Sequence, residues 1–396
     1  MDEFPMERLP QKAELSLTRR AFLSAACQSG ARVLASAALI GCAVSPNVNR
    51  QNTKLISTRS GRKAIRPPAG QVLFIAGQGA DQLGGRPAEG LGNGYLDNMP
   101  TRPGGFTLYC SVASDCTDLN DLARVSDLPA LKDSVLHLSV SWISDFSPTS
   151  KDNNRAITTG AFDENIDQLA DWCRRQPRPI LMRIGYEFDR GLPTRDFHYD
   201  PAYFAQAFCR IVDRCRAAAA DNVSSVLAST NFPSLVPPLT TESFNRFYPG
   251  DDYVDWLGCS MWNPTDVDTI ILSESRKRGK PVLLAETTPI KYNIGETAHY
   301  PFCLGKPRKI SAQAIWDGWH QPMIDFIRAN IDVIGAWHYI AADWSTDSNW
   351  KCIPPFINCD ARPWANPQFL QIWNKHMNSA PFLQASESLF RDLGCS

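Results

Sequence analysis

Eight short apolar runs, separated by amphipathic stretches, constrain this chain more than any other feature. They are residues 71–77, 105–112, 134–142, 179–187, 224–231, 254–262, 281–286 and 333–340. Each has the length and composition of a strand buried on both faces. Between them, Phe162 to Arg175 carries Ile166, Leu169, Ala170 and Cys173 at helical spacing. Pro201 to Ala220 does the same with Phe204, Ala207, Phe208, Ile211, Val212 and Cys215, and Ile315 to Ala329 with Trp316, Trp319, Met323, Phe326 and Ile327. Eight strands alternating with helices over about 320 residues predict a (β/α)8 TIM barrel, the competing arrangement being an open doubly wound sheet. The open sheet calls for a glycine fingerprint after its first strand. Gly77-Gln78-Gly79-Ala80-Asp81-Gln82 lacks that spacing. The expected domain is a single barrel over residues 71–380, followed by a loosely docked tail over 381–396.

Two of the runs end in a glutamate: Pro179 to Glu187, and Pro281 to Glu286. Strand alternation puts Leu181, Arg183, Gly185 and Glu187 on one side, and Val282, Leu284 and Glu286 on one side. A carboxylate at the C-terminal end of a barrel strand lies where such enzymes place their chemistry, and two of them suffice to cleave a glycosidic bond. Glu187 ends the fourth strand and Glu286 the seventh, so the two are expected to face each other across the mouth. The competing structural reading pairs Glu187 with Arg183 or Arg190, and Glu286 with Lys280 or Lys291. Long aromatic loops follow strands seven and eight, at 287–311 and 341–364, and are expected to build the substrate face.

Charge is nearly balanced, with 40 Lys and Arg against 41 Asp and Glu, and no basic stripe argues for nucleic acid. There is no P-loop, no HExxH and no GxSxG, which sets aside kinase, zinc-peptidase and lipase chemistry. No cofactor or metal is expected. The N-terminus reads as a targeting segment over residues 1–42 and a tether over 43–70. Thr18-Arg19-Arg20-Ala21-Phe22-Leu23 has the form of a twin-arginine export signal. Leu39-Ile40-Gly41-Cys42 resembles a lipobox, in which Cys42 would carry lipid. Setting aside Cys27 and Cys42 leaves ten of the twelve cysteines, an even number compatible with disulfides in an oxidising compartment. Cys352 and Cys359 flank a loop that they could close. Cys209 and Cys215, six apart on one helix, face different ways and are not expected to bond.

The stretch Pro179 to Arg190, with His198-Tyr199-Asp200-Pro201-Ala202-Tyr203-Phe204 and Ala207-Phe208, resembles glycoside hydrolase family 26. So do Tyr248 to Gly258 and Lys280 to Glu286. The resemblance spans most of residues 71–375 and implies a (β/α)8 barrel with a retaining double displacement on a β-linked polysaccharide, β-mannan or a related β-glycan. It implies that Glu187 is the acid/base, Glu286 the nucleophile and Arg183 a buried organiser of both. A core arginine bonded to backbone carbonyls is the competing reading for Arg183. Asp343-Trp344 resembles the end of strand eight, where a tryptophan forms a sugar platform; packing is the competing role. Two positions depart from the family's mannanases: Tyr186 stands where they have His, and Trp262 where they have a Tyr that bonds the nucleophile. These departures bear on the choice of sugar, and Tyr186 and Trp262 are counted with Arg183 and Trp344 as candidate substrate-binding residues.

The expected protein is thus a retaining endo-β-glycanase, monomeric and exported to the periplasm or the outside of the cell, either secreted or held to the membrane by lipid. The alternative is a non-catalytic surface lipoprotein that captures polysaccharide on the same scaffold. Two carboxylates favour the enzyme, because a pure binder needs neither.

Overall fold

The structure is a computed structural model that describes residues 64–113, 118–143, 153–189, 199–231, 238–265, 269–301, 305–347 and 356–395. The export motif, Cys42, Arg190, Trp350 and Cys352 lie outside the described residues.

Each apolar run forms a strand: β1 (Val72–Ala76), β2 (Gly105–Ser111), β3 (Val135–Ser141), β4 (Ile180–Ile184), β5 (Val223–Ser229), β6 (Trp256–Ser260), β7 (Val282–Thr287) and β8 (Ile334–Tyr339). All neighbours are parallel, and β8 pairs back onto β1, with Ile75 opposite His338, so the sheet closes into the expected (β/α)8 barrel. The three anticipated helices form over Asp163–Arg175, Pro201–Ala217 and, interrupted by a π-turn at Trp316–His320, Ala312–Ala329.

Alternation sorts the strands into two cores. Phe74, Leu108, Leu138, Met182, Leu227 and Leu284 face the helices. Leu73, Ile75, Val135, Leu181, Val226, Trp256, Leu283 and Ala285 fill the barrel interior. Arg183 shares the inward side with Leu181, as its parity predicts.

The bottom of the barrel is closed by two segments, around Ile65 and over residues 382–393. Ile65 is buried, and its carbonyl accepts the Trp256 indole N–H at 2.9 Å. Leu389 and Leu393 join the interior cluster, the Arg66 amide donates to Leu393 O at 3.1 Å, and Phe382–Leu383 pairs with β1. The expected loose tail over 381–396 is therefore packed where described, and the expected tether is anchored at Ile65. The apolar pair Leu389 and Leu393, one helical turn apart, supplies the reason.

No disulfide joins two described cysteines; Cys173, Cys209 and Cys395 are free thiols. Among the described part of the loop after β7, Tyr292–Asn293, Ala298–His299 and Arg308–Lys309 form a small antiparallel sheet.

Candidate active site

β4 stops at Ile184, three residues short of Glu187. Gly185 then takes φ 58° and Glu187 φ 55°. The left-handed turn re-aims the carboxylate over the barrel instead of continuing the strand. Only glycine serves at 185, because a Cβ there would lie 2.6 Å from Phe204 Cε2 and 2.7 Å from Trp142 Cη2. Glu187 holds its left-handed backbone at a cost of about 1–2 kcal/mol, a strain of the kind found where a side chain must be placed. The Thr230 amide donates to Asp189 Oδ1 at 2.6 Å and ties the turn to the end of β5.

Glu286 arrives differently. Val282 and Leu284 face the helices, so simple alternation would send Glu286 the same way. The pairing of β6 with β7 slips there: Cys259 stands opposite Leu284, but Ser260 stands opposite Glu286. The extra residue, Ala285, is a bulge that re-aims the glutamate inward. The expectation that Val282, Leu284 and Glu286 share the site-facing side is therefore corrected, although Glu286 itself reaches the site.

One hydrogen-bonded chain joins the two glutamates. Arg183 Nη1 donates to Glu286 Oε1 at 2.5 Å, and Arg183 Nη2 to Ser260 Oγ at 3.1 Å. Ser260 Oγ donates to Glu187 Oε1 at 2.9 Å, and Thr230 Oγ1 donates to the same oxygen at 3.2 Å. Tyr109 OH donates to Glu286 Oε1 at 3.1 Å, and Gln78 Nε2 donates to Tyr109 OH at 3.2 Å. Side chains from β2, β4, β6 and β7, and from just beyond β1, β4 and β5, thus converge at one end of the barrel. Glu286 pairs with neither Lys280 nor Lys291. Arg183 bonds Glu286 and Ser260, and not core carbonyls.

Both glutamates are nearly buried, at 7% exposure for Glu187 and 6% for Glu286, and Arg183 is wholly buried. Burial pushes the Glu286 carboxyl above its ordinary value; the Arg183 guanidinium pulls it down, the Glu187 charge pushes it up, and the hydrogen bonds from Arg183 and Tyr109 pull it down. For Arg183, burial would lower the pKa, but Glu286, Tyr109 and Glu187 together raise it, so it stays a cation. Both donors to Glu286 aim at Oε1. Oε2 accepts no hydrogen bond among the described residues.

Of the other expected contacts, Tyr186 stands at the site. Its ring meets Tyr109 edge-on at 5.7 Å between centroids and lies 5.3 Å from the Arg183 guanidinium carbon. Trp262 packs edge-on against Phe356 at 5.3 Å, and its carbonyl accepts from the Trp319 indole at 3.0 Å. Trp344 is 1% exposed, donates to Thr288 Oγ1 at 3.2 Å and lies 4.8 Å from the Phe356 ring. A platform needs an open face, and Trp344 has none; the packing role is the one observed. His338 is buried inside the barrel, with its two ring nitrogens 2.5 Å from Gly77 O and Ala285 O. Among the described residues no group of three His, Cys, Asp or Glu is placed to hold a metal ion.

Sequence reasoning missed Tyr109, Gln78, Ser260 and Thr230. For Tyr109 and Ser260 the signal was present: Thr107 and Tyr109, and Gly258 and Ser260, occupy inward positions of their strands.

A closed parallel (β/α)8 barrel with two carboxylates brought together at one end is an architecture on which glycosidases are built. No family model matches the sequence. Over 339 residues the chain is 26% identical to the β-1,3-xylanase TXYA of a Vibrio species, a match covering 82% of this chain and 68% of that protein. A β-1,3-xylanase of an Alcaligenes species matches equally, over 82% of this chain and 67% of its own length. Among solved structures, the catalytic domain of a Bacillus family 26 endo-β-1,4-mannanase superposes with a TM-score of 0.56 at 16% identity, covering 82% of this chain and 90% of the other. The resemblance to glycoside hydrolase family 26 that the motifs imply is borne out.

Proposed function

We infer that the protein is a retaining glycosidase that cuts within a β-linked polysaccharide. The observation that carries this reading is the chain from Glu187 through Ser260 and Arg183 to Glu286 at the barrel mouth. In the first step Glu286 Oε2 attacks the anomeric carbon while Glu187 gives its proton to the departing glycosidic oxygen, leaving a glycosyl ester on Glu286. In the second, Glu187 takes a proton from water, the water oxygen attacks the same carbon, and the Glu286 carboxylate departs. Arg183 and Tyr109 hold Oε1 throughout. The reading requires the two carboxyl groups to stand about 5–5.5 Å apart.

β-1,3-Xylan is the first substrate to test, because the curated relatives that match over most of the chain are β-1,3-xylanases. The exchange of the mannanase His and Tyr for Tyr186 and Trp262 argues against mannan. The reading extends to an exported monomer anchored through lipid on Cys42, on the strength of Arg19-Arg20 and Leu39 to Cys42. The test is hydrolysis by the wild-type protein and by Glu187→Ala and Glu286→Ala on β-1,3-xylan, β-mannan, β-glucan and β-1,4-xylan. Turnover by the wild type, lost in Glu286→Ala, supports the proposal. Tight binding with no turnover on any of them returns the protein to the polysaccharide-capture reading.

A further inference from the structure

Tyr109 comes from β2, far in sequence from either glutamate, yet its hydroxyl stands 3.1 Å from Glu286 Oε1. Its own position is fixed twice. Gln78, on the glycine-flanked turn after β1, donates to the phenol oxygen at 3.2 Å, and the Tyr186 ring meets it edge-on. With Gln78 occupying the phenol as an acceptor, the hydroxyl proton is free to go only to Glu286. Burial and the neighbouring Glu286 charge push the phenol well above its ordinary range, so it keeps that proton at working pH. Trp262, two residues beyond Ser260, packs on Phe356.

We propose that Tyr109 is the positioning residue of the nucleophile, and that its hydrogen bond acts chiefly in the second half of the reaction. This rests on the glycosidase reading of the site. On the free enzyme Glu286 is a carboxylate and accepts the phenol hydrogen bond with full charge. In the glycosyl ester Oε1 is a neutral carbonyl oxygen and accepts it weakly. Attack on the sugar therefore spends charge at Glu286, and removing the donor does not raise that barrier. Hydrolysis of the ester regenerates the charge: the C1–Oε2 bond breaks, its electron pair returns to the carboxylate, and water supplies the new oxygen at C1. A donor aimed at Oε1 stabilises that departure. Gln78 serves by holding the phenol in line.

The test is Tyr109→Phe, which keeps the ring and its contact with Tyr186. With an activated aryl β-glycoside, for which the second step limits turnover, kcat is expected to fall on the order of tenfold or more, as for loss of one hydrogen bond to a charged group. KM should fall with it, so that kcat/KM stays within about threefold. The glycosyl-enzyme should then accumulate and be visible as a mass increment on the intact protein. The acid limb of kcat/KM should move to higher pH, because Glu286 loses a donor to its charged form. Gln78→Ala should shift the same quantities in the same direction by less. Unchanged kcat and acid limb, or a parallel loss of kcat/KM and thermal stability, would overturn the proposal. The titration of Glu286 is also followed by carbon NMR of protein labelled at the glutamate carboxyls, with Glu286→Gln to assign the signal. This readout needs no turnover, so it separates the two claims. Wild type inert on every glycan sinks the glycosidase reading, whereas a Glu286 pKa that Tyr109→Phe leaves unmoved sinks the role of Tyr109.

Discussion

Replacing Arg183 by Met removes the cation that neutralises the buried end of the barrel and deletes its bonds to Glu286 and Ser260. Met fills the inward position but leaves Glu286 as an uncompensated buried charge. Breaking such a pair costs about 3–5 kcal/mol. For a unit of about 330 residues, an unfolding entropy of about 2.1 cal/mol/K per residue converts this to a fall in Tm of roughly 4–7 °C at neutral pH. The cost depends on pH, because Glu286 can escape it by taking a proton. Its folded pKa already lies above the ordinary 4.5 and rises further without Arg183. A carboxyl whose folded pKa is raised binds more protons folded than unfolded, so its contribution to stability falls as pH rises from about 4.5 through the folded value. The gap between wild type and Arg183→Met should therefore be small near pH 5 and widen towards pH 8, by up to about 1.4 kcal/mol per pH unit. Thermal melts across that range measure it. Adding Glu286→Gln to Arg183→Met should remove most of the pH dependence. An equal gap at pH 5 and pH 8, or a gap that the double variant leaves unchanged, would refute the reasoning.

Glu187→Ala should retain more activity towards activated aryl glycosides than towards polysaccharide, and azide should partly restore it by attacking the glycosyl-enzyme, read as glycosyl azide formation. Leu393→Ala should cost about 2–5 kcal/mol, measured by denaturant unfolding, because the side chain is buried in the barrel floor. Trp344→Ala should lower Tm while leaving KM for the surviving folded protein within a few fold, since the indole is packed against Phe356; a large rise in KM with Tm unchanged would restore the platform role. Replacing Arg19 and Arg20 by Lys should hold the precursor inside the cell, and Cys42→Ala should release soluble protein, both read by fractionation.

The barrel was legible because each strand lies in a short apolar run of six to nine residues and the runs alternate with helical spacing. Arg183 was placed correctly by the same alternation. Glu187 and Glu286 were legible as residues but not as geometry. Glu187 depends on two successive departures into left-handed backbone around Gly185, and Glu286 on a one-residue bulge at Ala285, which apolar patterning does not register. Tyr109 was passed over although its inward parity with Thr107 was readable: a lone tyrosine in a β2 run reads as core until the closed barrel brings it opposite β7. Trp344 shows the converse failure, since an aromatic residue at a strand end does not reveal whether a neighbour such as Phe356 will cover it. The floor was not legible because Ile65, Leu389 and Leu393 are few apolar residues in short, mostly polar segments, and only their convergence under the barrel gives them a role.

A retaining reaction at this site requires Glu286 to become covalently bonded to the sugar during turnover. It is tested most directly by incubating the protein with a 2-deoxy-2-fluoro glycosyl fluoride of the sugar it cleaves, then digesting it and sequencing the labelled peptide by mass spectrometry. One glycosyl adduct per chain is expected, on Glu286, formed by wild type and absent from Glu286→Ala. Turnover of the natural glycan without any adduct, with a first product of inverted anomeric configuration, would contradict it.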